Sequence, residues 1–179
     1  MSASAWAGHF PQVPIPSQNS QSPAKVSLGR QLFFDGRLSK DGTISCASCH
    51  NVVAPGGADT GKSFSAGVGG KLGGRNSPTV LNAAFMSVQF WDGRAPTLED
   101  QAKGPMLNPV EMAMPSHDEV VARLKKVPGY VSQFQKVFGT REFNIDHVVQ
   151  AIASYERTLV SSSRFDRFKD GNVQAISES

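Results

Sequence analysis

Cys46-Ala47-Ser48-Cys49-His50 is the stretch from which the rest of the chain is read. Cys-x-x-Cys-His is the attachment signature of a c-type haem. Two thiols three residues apart come to one side of a single helical turn. There each adds to a vinyl group of the porphyrin and becomes a thioether. The histidine that follows lies beneath the ring and binds the iron as proximal ligand. Two plainer readings compete. A structural zinc site takes four Cys or His ligands, and the chain has 2 cysteines in all. A thioredoxin-like dithiol belongs beside a βαβ pattern, and none is visible in the sequence. The motif predicts one covalently bound haem c on Cys46, Cys49 and His50.

The 179 residues suit one domain with a core of its own. Hydrophobic residues make up 39%, with 11 Phe, while 17 Gly and 11 Pro predict many loops. A net charge of +3 and a pI near 9.0 are too mild for a nucleic-acid binder, and no Lys/Arg run or aromatic-basic platform accompanies them. No run of about 18 apolar residues exists, so no membrane span is expected. Met1 to Trp6 lack the charged and apolar regions of a signal peptide. Haem attachment normally takes place outside the cytoplasmic membrane, so the expected compartment is the periplasm, with a leader already removed.

Outward from the motif, the pattern is helical. Residues 1–22, rich in Pro, Ser and Gln, read as an extended surface arm in which Trp6, His9 and Phe10 pack down. Ser22-Pro23 starts a helix to about Phe34, and Leu38 to Gly42 make a turn. Residues 54–74 are dense in Gly, suited to close approach of backbone to a flat ring. Ser77-Pro78 starts a helix to about Phe85. Thr97 opens one to about Lys103, broken by Gly104-Pro105. Asn108-Pro109 opens a turn with Glu111 and Met112. Further helices run from Ser116 to Lys126, from Tyr130 to Phe138 with Gly139 as stop, and from about Ile145 to Val160. No strand pattern or repeat is visible. The fold class is all-α with long Gly/Pro-rich loops.

Several of these stretches together resemble the N-terminal, peroxidatic haem domain of bacterial di-haem cytochrome c peroxidases and their MauG-type relatives. They are Leu28 to Asp35, Leu38 to Gly42, Ser45 to Asn51, Arg75 to Asn82, Phe90 to Ala95, Gln101 to Met112 and Tyr155 to Leu159. The resemblance implies a cytochrome c-like haem domain with extra helices over 24–168, preceded by the arm (1–23). Residues 169–179 would begin a linker to a second haem domain. It implies H₂O₂ as substrate and a small cytochrome or copper protein as electron donor. His50 matches the proximal ligand. Gln101, Pro105 and Glu111 match distal-pocket positions, with Glu111 as the acid/base that moves a proton between the peroxide oxygens and Gln101 as a hydrogen-bond partner of peroxide. Trp91 matches an electron conduit between two haems, against its plainer use as a core aromatic. Asn76 matches a contributor to a Ca²⁺ site, against its plainer use as a helix-entry cap.

Two departures from the family pattern shape the expectation. Many members carry a histidine in the Gly-rich loop that binds the iron's other face at rest. Alignment puts Val68 there, and no His lies between His50 and His117. His117 and His147 have structural explanations at helix starts. A five-coordinate or water-bound haem is therefore expected. Secondly, members are about twice this length and carry a second attachment motif. A separated N-terminal domain is the expected state, with exposed apolar surface that invites a homodimer. Other readings are a mono-haem electron-transfer cytochrome with Met86, Met106, Met112 or Met114 as sixth ligand, a gas-sensing haem domain, and MauG-type oxidation of a partner protein.

Overall fold

The computed structural model describes residues 12–52 and 62–176. Trp6, His9, Phe10 and the first part of the Gly-rich loop, with Pro55, Gly56, Gly57 and Gly61, lie outside the described residues. Among the described residues there are seven α-helices and no β-strand. They are α1 (Pro23–Phe33), α2 (Cys46–Cys49), α3 (Leu98–Leu107), α4 (His117–Lys125), α5 (Pro128–Phe138), α6 (Ile145–Glu156) and α7 (Arg164–Lys169). Two isolated bridges, Ala66 with Leu72 and Gln89 with Ala95, tighten the loops between α2 and α3. The chain is all-α, as its pattern predicts.

Local chemistry explains where the helices begin. Ser22, Thr97, Ser116 and Asn144 each accept a backbone N–H from the residue three positions on, satisfying one of the donors left free at a helix start. Gly139 ends α5 at φ +75°, a conformation that favours glycine. The core is built on α1 and α6. Leu28, Leu32 and Phe33 from α1 pack with Val148, Val149, Ala151 and Ile152 from α6, joined by Phe134 of α5 and Leu124 of α4. Phe134 and Phe143 stack with centroids 3.8 Å apart. The arm ahead of α1 is tied down by polar contacts. Asn19 donates to Glu99 (2.6 Å) and to the Gln150 carbonyl (3.0 Å), and Lys25 Nζ donates to Asn19 and to the Ser20 carbonyl.

Four expectations are corrected. Residues 77–85 do not form a helix. The segment is extended, with only a 3₁₀ turn at Ala83–Phe85 after Asn82 in the left-handed region (φ 62°). Its polar groups find distant partners instead: Asn82 N donates to the Leu159 carbonyl (2.8 Å), and Asn82 Nδ2 to the Ser161 carbonyl (3.2 Å). For the same reason α6 stops at Glu156 and not near Val160, since Leu159 and Ser161 turn away to pair with Asn82. Third, α3 does not break at Gly104-Pro105. Pro105 removes one N–H from the ladder. The helix nonetheless reaches Leu107, because Met106 is buried and its carbonyl accepts from Met114 (2.8 Å). Gly104 serves packing: a Cβ there would stand 3.2 Å from the Phe90 ring. Fourth, the short α7 was not anticipated. It is capped by Ser163 and Asp166.

Position 29 sets how closely α1 and α6 approach. A Cβ on Gly29 would lie 1.8 Å from the Ala151 carbonyl oxygen. Gly29→Ala is expected to force the helices apart and lower stability by about 3 kcal/mol, the upper end of ordinary overpacking. Denaturant unfolding of the variant beside the parent checks this. An unchanged midpoint would contradict the contact.

Candidate functional site

One cavity of about 410 Å³ gathers the residues singled out in the sequence: Cys46, Cys49 and His50, then Asn76, Trp91, Gln101, Pro105 and Glu111 all line it. Its size lies in the range of cofactor and small-molecule sites, roughly 300–1,000 Å³. One part of the lining is α2 and His50. Ser45 and Ser48 form a reciprocal cap that starts this single turn, and His50 N donates to the Cys46 carbonyl (2.9 Å). Another part is α3, with Gln101, Ala102 and Pro105, continued by the Asn108–Met112 turn. Residues 73–80, Phe90 and Trp91 form the mouth, and α6 contributes Ile152 and Glu156.

Cys46 and Cys49 are not joined in a disulfide. Burial pushes the Cys46 thiol up to about 12, helped by the nearby Glu156 carboxyl. Burial also raises Cys49, against a hydrogen bond from Ser65. Sites built for thiolate lower the pKa with cations or a metal; these do the reverse. Among the described residues no group of three or more His, Cys, Asp or Glu is placed to hold a metal ion. Two neutral thiols and an imidazole in the wall of a largely apolar cavity fit an attached porphyrin better than a zinc knuckle.

Glu111 is half-buried. Burial raises its pKa, while a 2.6 Å hydrogen bond from Asn108 Nδ2 and the Arg94 charge pull it down. The Gly-rich loop grips its backbone. Val68 N donates to the Glu111 carbonyl (2.8 Å), and a Cβ on Gly67 would meet that carbonyl oxygen at 2.4 Å. The Val68 side chain is not part of the cavity lining; only its backbone is tied to Glu111. His117 contacts the Lys103 carbonyl (3.0 Å), and His147 contacts Asn144 (2.7 Å). Neither lines the cavity. Of the four methionines weighed as ligands, Met112 lines it, Met106 and Met114 are core, and Met86 is exposed.

At the mouth, Trp91 is 64% exposed, so its reading as a core aromatic is overturned. Its indole N–H donates to the Asn76 carbonyl (2.8 Å), and Asn76 Nδ2 donates to the Lys62 carbonyl (3.0 Å). Asn76 does not cap a helix, because none starts at Ser77; it ties two loops together. Phe90 holds φ +66°, an outlier for a bulky residue that costs about 1–3 kcal/mol. The Arg94 guanidinium 3.5 Å above its ring and the seat against Gly104 offset this. Asp92 in turn accepts from Arg94 (2.8 Å) and Arg75 (3.0 Å).

Sequence reasoning assigned no role to Glu156, Asn108, Phe90 or Arg94. Asn108 was visible as a turn signal. Glu156 falls within the stretch Tyr155 to Leu159 but off the apolar stripe of its helix, and nothing in the pattern gives it a role; it is 6% exposed and lines the cavity with Ile152. Burial pushes its carboxyl up to about 8. A folded pKa above the unfolded 4.5 means that the folded chain keeps a proton that the unfolded chain releases. Stability from this group therefore falls as pH rises from about 4.5 to about 8. Unfolding at about pH 5 and about pH 8 is expected to show a loss that Glu156→Gln removes; an equal loss in both proteins would contradict the burial.

Comparison with known proteins follows this geometry. The family model for di-haem cytochrome c peroxidase matches residues 23–174. The chain is 48% identical over 167 residues to cytochrome c peroxidase Ccp of Escherichia coli, covering 93% of this chain and 35% of that protein. It is 42% identical over 180 residues to cytochrome c551 peroxidase of Nitrosomonas europaea, covering 99% and 52%. A crystal structure of a MauG-like protein associated with microbial copper homeostasis superposes with a TM-score of 0.81 at 30% identity, over 95% of this chain and 49% of the other. The chain thus spans between about a third and a half of the length of these proteins.

Proposed function

The chain belongs to the di-haem cytochrome c peroxidase family, and from that premise we propose that it is a peroxidatic haem domain reducing H₂O₂ to water. The observation that carries the reading is the convergence of the attachment residues Cys46, Cys49 and His50 with Gln101, Pro105 and Glu111 on one cavity. Cys46 and Cys49 would hold one haem c through thioethers, and His50 would bind its iron. When bound, the haem supplies a redox-active iron able to pass two electrons to peroxide. The overall change is H₂O₂ plus two electrons and two protons to two waters. The protein's part is proton management and positioning. Glu111 accepts the proton of one peroxide oxygen and returns it to the other, a transfer for which a carboxyl of raised pKa is suited. Asn108 orients the Glu111 carboxyl, and Gln101 donates to the substrate. Pro105 narrows the wall between them without offering an N–H of its own.

Electrons come from a small cytochrome or copper protein, by way of a second haem domain, and the compartment is the periplasm. No helix among the described residues is long and apolar enough to cross a membrane. Trp91, exposed while lining the cavity, supports an electron path, and the exposed Met86, Val88 and Trp91 of one loop segment support an apolar seat for a neighbouring domain or a second copy of the chain. Asn76 as part of a Ca²⁺ site requires ligands from outside this cluster, since its amide N–H and its carbonyl already serve the mouth. Met112 on the cavity wall favours one second reading, an electron-transfer cytochrome with a filled sixth site.

Three experiments check the proposal. The oxidised holoprotein is expected to give a high-spin absorption and EPR spectrum that responds to one equivalent of H₂O₂, as Val68 cannot ligate iron. A low-spin, methionine-ligated spectrum indifferent to peroxide would favour the electron-transfer reading. Glu111→Gln should retain haem and lose about 10²–10⁴-fold of peroxide turnover, the span of one acid/base group. Unchanged turnover would sink the acid/base role. Gly67→Ala, by pushing on the Glu111 backbone, should lower turnover while leaving haem attachment intact; an undiminished rate would show that the loop does not position the acid.

A further inference from the structure

The cavity holds a second acid that the proposed reaction does not use. Glu156 closes α6 on the face that carries Ile152 into the cavity. Its Oε2 is buried with no hydrogen-bond partner. The adjacent Arg157 does not neutralise it, because that guanidinium is spent on Glu99 through two hydrogen bonds of 2.8 and 3.0 Å. Glu99 is further occupied by Asn19, and Asn19 by Lys25. The charges acting on Glu156 are those of Arg157, which favours its ionised form, and of Glu99, which opposes it. From α2 it faces Cys46, whose thiol it raises, and along α6 it raises the Tyr155 hydroxyl. Glu111 and Arg94 lie elsewhere on the lining. A buried carboxyl without a fixed donor is expensive to ionise and cheap to protonate.

We propose that Glu156 is a redox-linked proton site of the haem chamber, taking up one proton from solvent as the haem anchored beside it gains one electron. The inference rests on the haem reading above. Reduction adds one negative charge to the chamber, and this raises the affinity of a nearby buried carboxylate for a proton. No covalent bond changes except the O–H formed on Glu156. The electron comes from the donor and the proton from solvent, and both leave on reoxidation. Burial already pushes the carboxyl to about 8, so the uptake coupled to reduction is expected above that pH, where the oxidised protein has released the proton. The midpoint potential must then fall with rising pH between the Glu156 pKa of the oxidised and of the reduced protein, and be flat on either side. Glu156 would thus keep the net charge of the chamber constant through each electron transfer, while Glu111 remains free to serve the substrate.

The test uses the holoprotein. A pyridine haemochrome assay first establishes covalent haem; its absence would overturn both the haem reading and this proposal. Spectroelectrochemical titration between about pH 6 and pH 10 is then run on the wild type, Glu156→Gln and Glu111→Gln. The expected result is a midpoint that falls with pH in the wild type and in Glu111→Gln and stays level over that interval in Glu156→Gln. The same fall in Glu156→Gln overturns the proposal and leaves the haem reading intact. Should Glu156→Gln fail to mature, reduced-minus-oxidised infrared spectra of Glu111→Gln decide above about pH 8. A carboxylic-acid band that grows on reduction and shifts in Glu156→Asp supports the site. The absence of such a band, or one that Glu156→Asp leaves unmoved, overturns it.

Discussion

Helix α1 lies on α6 at a distance that only a missing side chain permits. At Gly29 the backbones come together so closely that a single carbon would overlap the Ala151 carbonyl. Everything that makes the cavity follows from that approach. It buries Leu28, Leu32 and Phe33 in one core with Val148, Val149 and Ala151, while Ile152 and Glu156 of α6 line the chamber. It also sets where Asn19 and Lys25 can reach, and through them the Glu99–Arg157 pair that joins α3 to the end of α6. A pair this buried contributes less net stability than its short distances suggest, since desolvation opposes it. Its clearer effect is registry: it fixes α3, and with it Gln101, relative to α6.

The all-α class and the positions of α1, α4 and α5 were legible because they rest on local chemistry. Ser22-Pro23, Ser116 and Gly139 each satisfy or end a helix with atoms a few residues away. The site residues were legible for a different reason: Cys46, Cys49 and His50 form one motif, and Gln101 to Met112 resembles a family segment. What was not legible depends on partners far along the chain. Asn82 reads as helical until Leu159 and Ser161 take its hydrogen bonds. Gly104-Pro105 reads as a break until Phe90 is found resting on Gly104. Glu156 has no role in the sequence pattern until the end of α6 proves to be buried. Propensity is a weak prior in such places, and tertiary contacts override it.

The loop carrying Gly67 and Val68 joins two properties that sequence comparison treats as separate. One is the course of the Gly-rich loop; the other is where the Glu111 carbonyl sits. Because Val68 N is bonded to that carbonyl and Gly67 leaves no spare volume against it, the loop backbone and the Glu111 backbone are held as one unit.

The neutral thiols of Cys46 and Cys49 bear on how the protein is made. Oxidation of two neighbouring cysteines to a disulfide proceeds through the thiolate. Burial in this cavity raises both thiols, which lowers the share of thiolate at either sulfur. The same burial that shapes the pocket thus slows the pairing of its two cysteines with each other.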